Sequence, residues 1–360
     1  MGLRELELRN FRLFKELKFT PDPDAVTVLL SPNGSGKTSV LEAVYALATA
    51  SSFRTSTASD MINHKQSAAE VHGVLFHHER RIKVDLLLTK GVRNTTKRML
   101  VNGQRPQSRR ELSDALPLTV FTPEGIDLVR QGPEHRRVFL TDLLIDIEPP
   151  AGETVERFNR VLSQRNALLK ALQGVRPAGS QRDELEVWTN DFVRVSEELL
   201  VLRERVVARL EPATGHFYHE LSSNEQGVAL TYERSWGGDL TDALKRSFES
   251  DVYRGHSTIG PQRDDIAVKL DGRDARRQAS QGEQRSLALA MRLAGHDLVK
   301  LVRGADPLLL LDDVFSELDP LRSERLLQLL PTGQTLVTTA SPLPSSMNPA
   351  VLINLTKLDK

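Results

Sequence analysis

The sequence predicts an α/β protein of two lobes that carries a short helical hairpin. Two observations favour this class. Short apolar runs bounded by turn residues alternate with helical spacing near both ends of the chain, whereas the middle follows helical spacing alone. With 360 residues the chain is long enough for two or three domains. We expect one lobe to comprise residues 1–122 and 304–360, and the other to comprise residues 123–303.

The composition excludes several kinds of site. The 48 basic and 48 acidic residues balance, so a binding site for a polyanion must come from local clustering. The absence of cysteine removes disulfides, thiolate catalysis and cysteine metal sites. No apolar run approaches the roughly 18 residues of a membrane-spanning helix, and the charged start, with Arg4 and Glu5, does not fit a signal peptide. We therefore expect a soluble, cytoplasmic protein without a membrane partner.

The N-terminal region predicts strands, a glycine loop and a helix. Apolar residues alternate in two short runs and then become continuous over residues 26–30, which indicates a buried strand. Helical spacing begins near Lys37. Residues 71–101 predict further short strands, and Asn102-Gly103 is typical of a hairpin turn.

The middle of the chain predicts two long charged helices, separated by a segment rich in Gly, Pro and Ser at 174–180. The second helix has a regular apolar seam: Leu185, Trp188, Phe192, Val195, Leu199, Leu202 and Val206. The first matches it with Val155, Phe158, Leu162, Leu169 and Leu172, although Arg165 interrupts the series. We expect a helical hairpin at about 150–211, which either protrudes from the body or packs on the core as two ordinary helices.

Strands and helices alternate again after residue 211. Asp271-Gly272 predicts a hairpin, and helical spacing runs from about 281 to 301. An apolar strand at 308–311, a helix after Pro320 and a strand at 335–339 complete the chain.

Residues 31–38, Ser-Pro-Asn-Gly-Ser-Gly-Lys-Thr, follow a buried strand and open a helix, which is the setting of a phosphate-binding loop. Lys37 would bridge β- and γ-phosphate oxygens of ATP, and Thr38 would hold Mg²⁺. Ser31 replaces the opening glycine of the motif. A polar turn with a chance lysine is the alternative. The predicted nucleotide-binding residues are Ser31, Asn33, Gly34, Ser35, Gly36, Lys37, Thr38 and Ser39.

An apolar strand that ends in two acids supplies the second half of such a site. Asp312 and Asp313 directly follow Leu308–Leu311. Asp312 would anchor Mg²⁺ and Asp313 would polarise the attacking water. The acids could instead merely cap the next helix.

A third motif, Ser280-Gln281-Gly282-Glu283-Gln284, opens an apolar-periodic helix. It resembles the signature of ABC-type ATPases, whose serine and glycine-flanked helix N-terminus bind a γ-phosphate. We therefore add Ser280, Gly282 and Glu283 to the predicted nucleotide site. Taken alone the segment fits an ordinary helix cap. The order of loop, signature and acid strand is more specific and predicts an ABC-type ATPase head.

Four blocks in order then resemble the RecF family over nearly the whole chain. They are Leu8–Arg12 with residues 32–43 and Ser52–Thr55; Pro123-Glu124 with Gly132–Leu140; Gly260–Asp265; and Leu310–Asp319 with Arg322 and Leu326. The family usually has Gly, His and Gln at positions 31, 262 and 283, where this chain has Ser, Gln and Glu. No switch histidine follows the last strand, and Asp313 stands where transporter ATPases have glutamate.

The resemblance implies a DNA-repair ATPase with slow hydrolysis. Two heads would dimerise on ATP, with Lys37 of one chain and Ser280 of the other clasping one nucleotide. The dimer would bind double-stranded DNA or single-strand to duplex junctions and, with RecR and RecO, help load recombinase at gaps. The alternatives are the ATPase subunit of a membrane transporter, and a nucleotide-switched scaffold without direct DNA contact.

One basic cluster is a candidate DNA surface. Residues 80–110 hold ten basic residues against one acid, Asp85. Such a cluster would contact phosphates and make binding sensitive to salt. A solvated β face is the alternative. The predicted DNA contacts are Arg80, Arg81, Lys83, Arg93, Lys97 and Arg98.

Overall fold

A computed structural model describes residues 2–77, 80–92, 94–106, 111, 116–173 and 179–355. The chain divides into two compact units, Met1–Gly125 with Val299–Lys360, and Ile126–Leu298. None of the helices within the described ranges has the length and apolarity needed to cross a membrane.

The strands are β1 (Gly2–Phe11), β2 (Phe14–Phe19), β3 (Val26–Leu30), β4 (Ala68–His77), β5 (Arg80–Lys90), β6 (Thr95–Val101), β7 (Leu118–Phe121), β8 (Val228–Glu233), β9 (Asp265–Leu270), β10 (Arg273–Asp274), β11 (Leu308–Asp312), β12 (Thr335–Thr339) and β13 (Val351–Asn354). The α-helices are α1 (Lys37–Thr49), α2 (Asp127–Arg130), α3 (Pro133–Ile147), α4 (Ala151–Ala171), α5 (Ser180–Ser222), α6 (Leu240–Arg254), α7 (Ala275–Gln278), α8 (Gln281–Arg303) and α9 (Pro320–Leu329).

The first unit contains two five-stranded sheets. One is antiparallel, in the order β2-β1-β4-β5-β6, and the other is parallel, in the order β13-β3-β12-β11-β7. β11 and β12 are buried at every position, as expected for central strands of a parallel sheet. Parallel strands end at one edge of the sheet, so the segments after β3, β11 and β12 meet there.

Helix α1 packs closely on the antiparallel sheet. A Cβ atom at Gly73 of β4 would lie 2.7 Å from the Leu47 side chain, so a larger residue at this strand position would force that side chain to move. The apolar side of α1, including Val40, Leu41 and Val44, is fully buried in the core of the unit. Burial of this helix fixes the position of the loop that precedes it.

The second unit contains the helical hairpin, formed by α4 and α5. Leu169, Leu172 and Leu185 cluster near its described ends and pack with Phe248 and Val252 of α6. The hairpin is therefore packed within its unit at this end; residues 174–178 of the connection lie outside the described residues.

Two expectations for the hairpin were wrong. Helix α5 does not end near 211 but continues through Pro212 to Ser222, because buried Leu210, Thr214 and Tyr218 extend its apolar stripe beyond the proline. Arg165 does not interrupt the packing, because its side chain is buried and donates hydrogen bonds to Asp251 and Ser257. A paired guanidinium can occupy a core position that an unpaired one could not.

Candidate nucleotide-binding site

The phosphate loop joins β3 to α1 and depends on two glycines. Gly34 and Gly36 have φ of 78° and 101°, a region that favours glycine. At Gly36 a Cβ atom would also lie 2.7 Å from the Phe14 ring and 2.9 Å from Leu13. The β1–β2 turn thus lies directly against the loop and restricts this position to glycine.

The start of α1 offers unpaired donors. Its N-cap, Gly36, has no side chain to bond the first helical N–H groups, which belong to Lys37, Thr38 and Ser39. The Ser35 hydroxyl is buried and has no hydrogen-bond partner among the residues that the structure describes. Helix N-termini attract anions, so these donors fit the phosphate oxygens of a nucleotide.

Lys37 lies in the loop with only 5% of its surface exposed. Its Nζ donates to the carbonyl oxygens of Ser31 and Pro32, at 2.7 and 3.1 Å, and to Asn33 Oδ1 at 3.4 Å. Burial lowers the pKa of Lys37, and the nearby carboxylates of Asp313 and Asp312 oppose that shift. The loop therefore holds its cation beside both acids.

Ser31, which replaces the usual glycine, fits its position. Its φ is not positive, so a Cβ atom is tolerated. Its N–H donates to Thr339 O at 3.3 Å, and its hydroxyl donates to Asn354 Oδ1 at 3.3 Å. The serine therefore ties the loop to β12 and β13.

Asp312 ends β11 beside the loop. Its Oδ1 accepts hydrogen bonds from the hydroxyls of Thr38, at 2.9 Å, and Thr338, at 2.6 Å. The register of the sheet places Asp312 directly opposite Thr338. Magnesium in nucleotide sites takes one or two protein oxygens besides waters and phosphates, so Thr38 and Asp312 fit such an ion. The structure places these two side chains together, and their role at Mg²⁺ stays a prediction.

Asp313 follows in a left-handed conformation, with φ of 49°. Non-glycine residues rarely adopt it, and such strain concentrates at functional sites. Its N–H donates to Thr338 O at 3.0 Å, and its Oδ1 accepts from Ala340 N at 3.4 Å. Its side chain makes no capping bond to the short 3-10 turn that follows, whereas Asp319 caps α9. The capping interpretation of Asp313 is therefore wrong.

The signature segment forms a reciprocal cap at the start of α8. Ser280 N donates to Glu283 Oε2 at 2.7 Å, and Glu283 N donates to Ser280 Oγ at 3.3 Å. These hydrogen bonds lower the pKa of Glu283. Gln284 anchors the helix through bonds from its Nε2 to the carbonyls of Ala275 and Arg276, both 3.1 Å. Gly282 lies in the first turn of α8. The ordinary-cap interpretation is thus correct as local geometry.

The basic cluster is split between the two faces of the antiparallel sheet. Lys97 reaches the carbonyl of Ala50, at the end of α1, at 2.9 Å. Arg98 pairs with Leu87, which alternation along β5 places on the opposite face together with Arg81 and Lys83. Arg80 has the same alternation as buried Val84 and therefore lies on the other face of β5, and Arg93 lies outside the described residues. The six candidates therefore do not form one surface.

Acidic groups share the face of Arg98. His72 lies on that face with Nδ1 2.7 Å from Asp85 and Nε2 3.1 Å from Glu70. Burial lowers the pKa of His72, but the hydrogen bonds to Asp85 and Glu70 outweigh it and raise the pKa. The face of the sheet that carries Arg98 is therefore of mixed charge.

Sequence reasoning assigned no role to Glu42, which is fully buried on α1. Arg12 binds both of its oxygens, at 2.8 and 2.5 Å, Ser52 donates to it at 2.5 Å, and Arg54 lies 3.5 Å away. A carboxylate between Leu41 and Ala43, on an otherwise apolar helix, was the available signal. This cluster joins the β1–β2 turn and the segment after α1 to the phosphate-loop helix.

Comparison with known proteins places this geometry in a family. The RecF/RecN/SMC N terminal domain matches residues 2–349. A DNA replication and repair protein RecF of Acidothermus cellulolyticus is 34% identical over 356 residues, covering 95% of this chain and 94% of that protein. The chain belongs to the RecF family. A RecF of Streptomyces avermitilis is also 34% identical, over 354 residues. The resemblance noted in the sequence is confirmed.

Solved RecF structures share the fold. A structure of the recombination mediator protein RecF-ATP in the RecFOR pathway is 26% identical, with a TM-score of 0.88, and covers 99% of this chain and 97% of that one. A RecF-ATPrS structure is 27% identical to this chain, with a TM-score of 0.87. A Pyrococcus furiosus Smc head, 17% identical with a TM-score of 0.51, supports the fold alone. The predicted α/β ABC-type ATPase head is confirmed.

Proposed function

We propose that this chain is an ATP-dependent DNA-binding protein of recombinational repair. The observation that carries the proposal is the hydroxyl and carboxylate cluster of Thr38, Asp312 and Thr338, which lies beside a phosphate loop in a member of the RecF family. ATP binds at residues 31–39, with Lys37 at the phosphates. Mg²⁺ is held by Thr38 and Asp312, and the cation offsets phosphate charge.

Hydrolysis is slow in this proposal. Asp313 is the residue placed to polarise water, and its carboxylate is one methylene shorter than the glutamate of transporter ATPases. Its backbone N–H is bonded to Thr338 O, so the main chain is held where the shorter side chain begins. A less well aligned water lowers the rate of attack.

ATP acts as the link of a homodimer. The chain has one phosphate loop and one signature, so each nucleotide takes Lys37 from one head and Ser280 from the other. Because the partner adds contacts that a monomer lacks, ATP favours the dimer by linkage. The described signature is self-capped in cis by Glu283, and an incoming phosphate must displace or share that cap.

Mixing two defective variants tests the composite site. Lys37→Ala removes the loop cation, and Ser280→Arg blocks the signature by sterics and charge. A head-to-tail dimer of the two variants contains one intact site, so light scattering with a non-hydrolysable ATP analogue should detect dimer in the mixture and little in either variant alone. Dimerisation of Ser280→Arg alone to the parental extent would contradict the trans assignment.

The DNA-binding part of the proposal has its own test. Arg81, Lys83 and Arg98 share one face of the antiparallel sheet and bind the DNA backbone. Their joint replacement by Gln should reduce the slope of log affinity against log salt by about three, because about one counterion is released per phosphate contact. The matched control replaces the exposed residues Lys15, Lys65 and Arg160 by Gln and should leave the slope unchanged. An unchanged slope would locate the DNA contacts elsewhere.

The same assay separates the rival functions. A nucleotide-switched scaffold without DNA contact predicts no binding of the purified protein to duplex, gapped or junction DNA, with or without ATP. A transporter subunit predicts co-purification with a membrane protein. We propose RecR and RecO as helpers in loading recombinase at gaps, supported by family membership and by the RecFOR pathway named for related structures.

A further inference from the structure

A tight turn between α6 and β9 is held in one conformation. Arg263 N donates to Gly260 O at 2.8 Å, which closes the turn. Gly260 has φ of 121°, and a Cβ atom there would lie 2.6 Å from the Phe192 ring. Only glycine fits both conditions, so the turn is set by backbone geometry and by packing on α5.

Side chains donate hydrogen bonds to the backbone carbonyl oxygens of this turn. Four carbonyl oxygens accept side-chain hydrogen bonds: Ile259 from Gln262 at 2.7 Å, Gly260 from Ser235 at 3.1 Å, Pro261 from Arg203 at 2.7 Å and Asp264 from Arg137 at 2.8 Å. The Asp264 carboxylate is also fixed, because it accepts from Tyr232 Oη at 2.7 Å and Ser235 N at 2.8 Å. Such a network makes the turn a rigid support for whatever side chain it presents.

Four guanidinium groups surround the turn, and two of them are each held by several hydrogen bonds. Arg136 binds both oxygens of Asp265 and the carbonyls of Leu128 and Gln131. Arg203 is buried and donates to Pro261 O and to the Thr141 and Tyr232 hydroxyls. These two arginines are structural.

Arg137 and Arg263 are different. Arg137 is half-buried and donates from Nη1 to a backbone carbonyl, whereas Arg263 is exposed. Within the described residues, neither forms an ion pair with a carboxylate, although Glu134 and Asp265 lie near Arg137. Burial lowers the pKa of Arg137; Asp265 and Glu134 oppose the shift, and the positive charges of Arg203 and Arg263 add to it. The hydrogen bond from Arg137 to Asp264 O places its guanidinium beside the residue that follows Arg263, and two cations so placed are stabilised when an anion binds between them.

We infer that Arg137 and Arg263 form a phosphate clamp in the second unit that binds the backbone phosphodiester of DNA. The surface position of Arg263 suits a polymer that passes over the turn better than a small ion, which would need an enclosed site. Arginine forks match phosphate oxygens in a bidentate way, so the clamp fixes the position of the strand without reading bases. This inference rests on the DNA binding proposed above. It adds a DNA contact in the second unit, whereas Arg81, Lys83 and Arg98 all lie in the first.

The test uses the full-length chain and a fluorescently labelled duplex. Arg263→Gln and Arg263→Glu remove or reverse a charge that makes no described hydrogen bond, so the fold should be unaffected. Arg137→Gln is measured beside them, with thermal unfolding as the check on folding. The control is Arg182→Glu, an exposed arginine about 15 Å along α5 from Phe192. Fluorescence anisotropy is recorded over a series of salt concentrations, and binding of a fluorescent ATP analogue and ATP-driven dimerisation are recorded on the same samples.

We expect Arg263→Gln to reduce the salt slope by about one and Arg263→Glu to lower DNA affinity by about tenfold, with ATP binding and dimerisation unchanged. Arg182→Glu should leave the slope unchanged. Equal slopes for the parent and both Arg263 variants would overturn the clamp while leaving DNA binding elsewhere intact. Loss of dimerisation with an unchanged slope would assign the phosphate to a nucleotide and also overturn it. A parent that binds no DNA would reject the proposed function together with the clamp.

Discussion

The two halves of the proposed nucleotide site are built in opposite ways. In the first unit Asp312 bonds Thr38, which is 274 residues distant, and Thr338, which is 26 residues distant, and it is 4% exposed. In the second unit Ser280 bonds Glu283, three residues away, on an exposed helix start. The first half therefore depends on the whole fold of its unit, whereas the second depends on one helical turn and can be tuned by a single substitution.

Lys37→Ala should have the largest effect. Lys37 is the only cationic side chain among the described loop residues 31–39, so if the proposed site is correct its loss should abolish detectable binding of a fluorescent ATP analogue. Lys15→Ala serves as the exposed control. If a folded Lys37→Ala protein bound the ATP analogue with the affinity of the parent, the loop would not be part of the nucleotide site.

Asp313→Asn should retain ATP binding and slow phosphate release by about 100-fold, because the amide cannot accept a proton from water. Asparagine tolerates the left-handed backbone that Asp313 adopts, so the variant isolates the charge from strain. Asp313→Ala would change both the charge and the backbone strain, so its effect could not be assigned to either one. Equal turnover in the Asn variant and the parent would move the role to another acid, with Glu124 the next to test.

Thr338→Val should lower the free energy of unfolding, because Thr338 belongs to the buried half of the proposed site. The Thr338 hydroxyl is fully buried, donates to Asp312 Oδ1 and accepts from Asp313 N. Removing both of these hydrogen bonds should cost about 1–3 kcal/mol in the free energy of unfolding by denaturant, although Asp312 keeps its bond from Thr38 and Asp313 N keeps its bond to Thr338 O. Exposed Thr231→Val on β8 is the matched control. If both variants unfold at the same denaturant concentration, Asp312 is not held as described.

Glu283→Gln should have the smallest effect on stability and a measurable one on association. Glutamine preserves the reciprocal cap, so the free energy of unfolding should change little. Removing a negative charge beside the incoming phosphate should tighten ATP-driven dimerisation several-fold. Glu283→Ala, which also loses the cap, is the comparison. Identical dimer affinities for the parent and the Gln variant would mean that the charge is not near the phosphate.

The same pair predicts a dependence on pH. The pKa of Glu283 is depressed in the folded chain, so its contribution is present above the unfolded pKa and is lost as the pH falls through the folded pKa. The Gln variant has no such titration. If the parental free energy of unfolding followed that of the Gln variant through the acid range, the carboxylate charge of Glu283 would add nothing to the stability of the cap.

The sequence by itself determined the local features. The glycine loop, the acid-ended strand and the self-capped signature are each encoded within a few consecutive residues, as are the strand periodicity and the hairpin turns. The hairpin helices were also predictable, because their apolar seams repeat. The end of α5 was missed because proline is a strong local stop signal, and only the buried stripe beyond Pro212 outweighs it.

Only the tertiary structure decided which distant groups meet. The pairing of Asp312 with Thr338 depends on the parallel register of β11 and β12. The burial of Glu42 depends on the turn that brings Arg12 to it. The separation of Lys97 from Arg98 depends on their positions on the two faces of one strand. The support of Arg263 depends on side chains from four separate segments. Local propensity cannot fix such contacts, because they are selected by how sheets and helices pack, and a shift of one residue in register would exchange every partner.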